Sequence, residues 1–98
     1  MTTGERFTDS VIAALSQDAE VLAAMDAPVW DAERNILLVR IDPKDQNAAR
    51  ELAERAVELI RGIRDEKFRA EVQHLNVEDK LIYVFKLTLD EKHPQPTQ

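Results

Sequence analysis

The chain contains no cysteine, so disulfides, thiolate metal sites, iron–sulfur clusters and a cysteine nucleophile are all excluded. Glycine is nearly as scarce. Gly4 and Gly62 are the only two, and neither a Walker loop nor a Rossmann phosphate turn can be assembled around them. No apolar run is long enough to cross a bilayer. The first residues, Met1-Thr2-Thr3-Gly4-Glu5-Arg6, lack the apolar stretch of a secretory signal, so a cytoplasmic location is expected.

Basic charge is also short, with 13 Lys and Arg against 19 Asp and Glu and a net charge of -6. Such a surface repels phosphate backbones, which argues against nucleic acid as a partner. The densest basic stretch, Arg61, Arg64, Lys67 and Arg69, is interleaved with Asp65, Glu66 and Glu71. It reads as a solvated helix end and edge strand rather than a nucleic-acid footprint.

What is present is an ordinary globular balance, 44% hydrophobic and 33% charged, over 98 residues. One core is all that this length supports. A chain so small buries roughly 60 to 65% of its unfolded surface, and an oligomer interface would add usefully to its stability.

A first helix is expected to begin near Phe7 to Ser10, capped by Thr8 or Ser10, with Phe7, Val11, Leu15, Leu22 and Met25 on or near one stripe. Ser16-Gln17-Asp18 interrupts that stripe, which allows either one bent helix or a second short one from Ala19 to Met25. Pro28 favours extended geometry before it, so Val29-Trp30-Asp31 reads as a short edge strand followed by a turn at Ala32 to Asn35. The run Ile36, Leu37, Leu38, Val39 and Ile41 predicts an interior strand.

Asp42-Pro43-Lys44-Asp45 predicts the start of a long helix whose apolar side carries Ala49, Leu52, Ala53, Ala56, Val57, Leu59, Ile60 and Ile63. Gly62 marks its end. From Lys67 to Leu75, Phe68, Ala70, Val72 and His74 alternate with polar residues, as in an edge strand with one core face. A turn at Asn76 to Lys80 leads to Leu81 to Leu89, and these last two strands are expected to form a hairpin.

The predicted fold is thus a small two-layer α+β domain over residues 1–91, helix-strand-strand-helix-strand-strand, with a mixed sheet. The last strand inserts antiparallel between two parallel ones. Residues 92–98, with two prolines and no apolar repeat, read as a mobile polar tail. The order helix, short strand, strand, helix, strand over residues 8 to 75 resembles BON and related ring-building modules, which act through protein or envelope contacts. This chain lacks the glycines that punctuate BON strands and adds a strong last strand, so no function is carried over.

His74 is the best single catalytic candidate, because imidazole titrates near neutrality, but no Ser, Asp or Glu stands at a motif spacing from it. A hydrogen-bonded rim histidine is the simpler reading. A metal site would need His74, His93 and carboxylates, and no i,i+4 histidine pair exists. No catalytic, metal or cofactor-binding residue is assigned, and no cofactor is expected.

Trp30 and Tyr83 can each anchor an interface or fill a core, with Tyr83 assigned to the core. If both helices cover the face carrying Leu37, Val39, Ile41, Tyr83 and Phe85, then Ile36, Leu38, Ile82 and Val84 point away from it. These four, with Trp30, form the candidate interface. The expected function is a noncatalytic protein-interaction or self-assembly module, with a homodimer or another protein as partner. The alternative is a small metabolic enzyme or catalytic subunit using His74 with carboxylates.

Overall fold

A computed structural model describes residues 2–90. The expectation of a mobile tail at 92–98 lies outside the described residues. Helix α1 runs Thr3–Leu15, α2 Ala19–Ala24 and α3 Ala49–Arg61, while the strands are β1 Val29–Asp31, β2 Ile36–Ile41, β3 Phe68–Val77 and β4 Lys80–Leu89.

α1 starts four residues before Phe7, because Thr2-Thr3-Gly4-Glu5 is a complete capping box. The Glu5 amide donates to Thr2 Oγ1 at 3.1 Å, and the Thr2 amide donates to Glu5 Oε1 at 2.8 Å. Thr8 does not cap. Its hydroxyl donates back to the Gly4 carbonyl, and that of Ser10 donates to Asp65. At Asp18 the chain begins a separate helix, since its carboxylate accepts from the amides of Glu20 and Val21. Two short helices form rather than one bent one.

Pro43 does not open α3 either. It is fully buried, and the helix instead begins at Ala49 behind a 3-10 turn, Gln46–Ala48, capped by the Asp45 carboxylate. β2 has by then handed its last backbone partner to α2, with the Asp42 amide donating to the Ala24 carbonyl, so Asp42 is held in extended chain.

The sheet order is β1-β2-β4-β3, and every neighbouring pair is antiparallel. β2 and β3 do run in the same direction, but β4 lies between them, so the sheet is antiparallel and not mixed. β3 and β4 pair without a bulge from Phe68↔Leu89 to Val77↔Lys80. The turn is only two residues, Glu78 and Asp79, both at positive φ, which matches the right-handed twist of a hairpin.

All three helices pack on one face. Phe7, Val11 and Leu15 of α1, Val21 of α2 and Leu52, Ala56 and Ile60 of α3 share a buried cluster with Leu37, Val39, Ile41, Tyr83, Phe85, Leu87 and Leu89. Cover stops short of β3, where Phe68 alone is half-buried and Ala70, Val72 and His74 are exposed despite sharing this face. Where β2 ends, the Gln46 side chain takes over its role: Oε1 accepts from the Leu81 amide at 2.7 Å and Nε2 donates to the Leu81 carbonyl.

Trp30 closes the other end of the core, edge-on to Phe7 with ring centroids 6.3 Å apart. Its indole lies so close to Gly4 that a Cβ there would overlap it. Gly4→Ala is therefore expected to lower the melting temperature by several degrees. The overlap costs about 1 to 3 kcal/mol, more than the gain of about 1 kcal/mol in helix propensity. Thermal unfolding followed by tryptophan fluorescence measures the balance, and a raised melting temperature would show that the indole gives way freely.

Candidate functional site

The face of the sheet opposite the helices carries alternate residues of all four strands. Ile36, Leu38 and Arg40 come from β2, Ile82, Val84, Lys86 and Thr88 from β4, and Arg69, Glu71, Gln73, Leu75 and Val77 from β3, with Val29 and Asp31 on β1. None of these belongs to the principal buried cluster. Ile82 is nevertheless only 3% exposed, and Ile36 and Val84 are half-buried. Leu38 is 40% exposed, Leu75 45%, Val77 41% and Val29 61%.

Directly opposite pairs disperse this apolar surface, since Ile36 faces Thr88 and Leu38 faces Lys86. The diagonals restore it. Val29 lies opposite Leu38, Leu38 is diagonal to Val84, Val84 follows Ile82 along β4, and Ile82 lies opposite Leu75, with Val77 next on β3. Diagonal neighbours lie about 7 to 8 Å apart, within reach of aliphatic side chains. One apolar stripe therefore crosses the whole sheet. Of its charged borders, Arg40 is paired with Asp26 at 3.3 Å, and Lys86 stands in register with Glu71.

Four of the five residues expected at an interface thus share this face, and Trp30 does not. It pairs with Leu37 and packs into the helix side. Val29, Leu75 and Val77 enlarge the stripe beyond the sequence reading. The period of β3 contained that signal for Leu75 and Val77, because both are odd-numbered and Phe68, Ala70, Val72 and His74 are even.

His74 sits on the opposite face, in a groove of about 550 Å³ between α3 and β3 that is also lined by Arg50, Glu54, Val72 and Tyr83. Its ring lies edge-on to Tyr83 with centroids 5.9 Å apart. Among the described residues no group of three or more His, Asp or Glu side chains is placed to hold a metal ion. Arg61 reaches Glu58 at 3.6 Å, so the basic stretch is partly compensated within its own helix.

The tightest charged cluster is structural in form. Arg55 of α3 donates through Nε to Asp18 Oδ2 at 2.7 Å and through an Nη2 amine to Glu20 Oε1 at 2.6 Å. It joins the start of α2 to the middle of α3. Hydrogen bonding to Arg55 holds the Asp18 carboxyl below its ordinary value, helped by the Val21 and Glu20 amides and opposed by desolvation. Arg55 stays protonated throughout, its own value raised by the same two carboxylates.

No helix among the described residues is long and apolar enough to cross a membrane. No protein-family model matches this chain, and neither does any curated protein or solved structure. The resemblance to BON modules accordingly ends at the order of elements.

Two measurements follow from this geometry. A depressed folded-state pKa at Asp18 stabilises the fold above the ordinary carboxylate value near 4, and that contribution is lost as pH falls through the folded value. Arg55→Ala should raise the Asp18 pKa, seen by NMR titration of its carboxyl carbon, and flatten this acid-side loss of melting temperature. An unchanged Asp18 titration would show that the helix-capping amides alone set it. His74→Ala should leave the circular dichroism spectrum and any cellular activity intact, at a cost of about 0.5 to 1.5 kcal/mol for the lost ring contact. Full loss of activity in a folded variant would assign the imidazole a chemical role.

Proposed function

We propose that this protein is a noncatalytic self-assembly module and that its working surface is the open face of the sheet, occupied by a second copy of the chain. The observation that carries this is the one-sided cover of a sheet whose far face holds a continuous aliphatic stripe. Soluble domains seldom leave such a stripe to water without using it.

The size of the surface suits a dimer. Four strands spaced about 4.8 Å apart, from about 10 Å long for β1 to about 34 Å for β3 and β4, present on the order of 500 Å² in projection. The accessible area is larger, and a stable interface takes about 800 Å² from each partner. Val29, Leu38, Leu75 and Val77 each keep roughly half of the 1.5 to 3 kcal/mol that full burial yields, which comes to about 8 kcal/mol over two copies. That is comparable with the lower end of the association cost of about 4 to 15 kcal/mol. A contact so balanced is modest in affinity and sensitive to a single buried charge. The ion pair of Arg40 with Asp26, and the register position of Lys86 opposite Glu71, also moderate the repulsion between two such faces.

Sedimentation equilibrium is expected to show a wild-type dimer. Leu38→Glu and Val84→Glu should give folded monomers at micromolar concentration, with dimerisation weakened at least ~10-fold, because each variant removes two aliphatic contacts per dimer and sets a carboxylate, opposite Lys86 or Arg40 of its own sheet, where dimerisation would strip its water. A wild type that stays monomeric at submillimolar concentration would remove the basis for the proposal.

A further inference from the structure

The two edges of the sheet are treated very differently. On the β1 side the edge strand has three residues, and β2 beyond it is covered by the Ala24–Asp26 segment. There Met25 bridges Ile41, and the Asp26 amide donates to the Arg40 carbonyl at 2.9 Å. On the other side β3 runs ten residues, Phe68–Val77, with its outer row of backbone groups facing away from β4. Natural sheets blunt such an edge with charged side chains, lysine above all, or with proline, a bulge or a covering loop. β3 contains no proline and no lysine, its charges are one Arg69 and one Glu71 of opposite sign, and its register with β4 is unbroken over ten pairs. Among the described residues nothing covers it.

We infer that β3 is a second interface, at which it pairs antiparallel with β3 of another copy to continue the sheet from four strands to eight. The sequence of β3 is compatible with itself in this arrangement. A two-fold axis normal to the sheet at Val72 sets Val72 against its own copy, Ala70 opposite His74, Glu71 opposite Gln73 and Arg69 opposite Leu75. No directly opposed pair carries like charges, and the one charge next to the axis, Glu71, faces the neutral Gln73. The same axis keeps both helix layers on one side. The added strand then supplies a floor beside the groove under α3, where Val72 is 42% exposed for want of a neighbour.

Strand pairing buries less area than a sheet face and belongs with interfaces under about 1,200 Å² in total, so this contact is the weaker of the two. It is also geometrically independent. The axis relating two stacked sheet faces lies parallel to the sheet, whereas the axis of edge pairing is normal to it. Two perpendicular two-folds that meet close a tetramer of stacked eight-stranded sheets, and two that miss each other give an open chain of dimers.

The test uses the full chain carrying Leu38→Glu, which removes the face contact and leaves the edge intact. Hydrogen exchange of individual β3 amides and the sedimentation mass are followed from micromolar to near-millimolar concentration. The outward-facing β3 amides are expected to slow by about tenfold as the mass doubles, in proportion to the paired fraction, while the amides facing β4 stay protected throughout. Val72→Lys, which sets two cations face to face at the centre, should restore rapid exchange and the monomer mass. Gln73→Glu should weaken pairing by about tenfold through its opposition to Glu71. Should Leu38→Glu fail to fold, wild type and Val72→Lys are compared for the same alternate amides. Rapid exchange of the outward amides at every concentration would overturn the inference. So would protection that is independent of concentration and is released by removing residues 91–98, which would make the chain's own C-terminal segment the occupant.

Discussion

Burial against a single face of the sheet governs the rest of this molecule. β2 and β4 are central strands with aliphatic side chains on both sides, yet Phe7, Val11 and Leu15, Val21, and the Leu52–Ile60 side of α3 all converge on Leu37, Val39, Ile41, Tyr83, Phe85 and Leu87. α1 ends at Leu15 with Ser16 as its C-cap, Asp18 caps the separate α2, and both lie with α3 on the same face. The side chains on the far face receive no cover from this layer. Ile82 shows that partial shielding within the chain is achieved, and Leu38, Leu75 and Val77 show where it ends.

Periodicity made the central elements legible. The apolar run Ile36 to Ile41 has no helical reading at that length, and Leu81 to Leu89 alternates as a strand does, so the placement of both inside the sheet follows from burial, and the antiparallel direction of β4 from the connections around it. The boundaries that escaped were set by single hydrogen bonds. Thr2 and Glu5 form a capping box that includes a glycine, a residue that lowers helix propensity. Asp42-Pro43 has the composition of a helix start but is diverted by the Asp42 amide's bond to Ala24. Likewise the Glu78-Asp79 turn lacks the Asn-Gly pair that would advertise a two-residue hairpin.

The candidate surface was half legible. Alternation assigned Ile36, Leu38, Ile82 and Val84 to one face, but whether they form a patch depends on register. Register arises from cross-strand pairing that no single strand encodes. Trp30 went to the core because Gly4 leaves room for its indole, a long-range contact with no local trace. For β3, its alternating pattern correctly marked an edge. It overstated the core face, since a strand can carry the right period beyond the reach of the helices above it.

Gln46 shows how finely one side chain can finish a sheet. Its amide offers an acceptor to the Leu81 N–H and a donor to the carbonyls of Leu81 and Pro43, in the order that a neighbouring peptide group would present them. The site therefore distinguishes the two ends of an amide. A carboxylate of the same shape would satisfy the Leu81 N–H but confront two carbonyl oxygens with a third negative oxygen. By this logic the isosteric acid is a worse replacement than alanine, which leaves those groups to water. Deamidation at this one position would convert a clasp between the β-hairpin and the 3-10 turn into a repulsive contact, so the attachment of the hairpin to that turn depends on a single nitrogen atom.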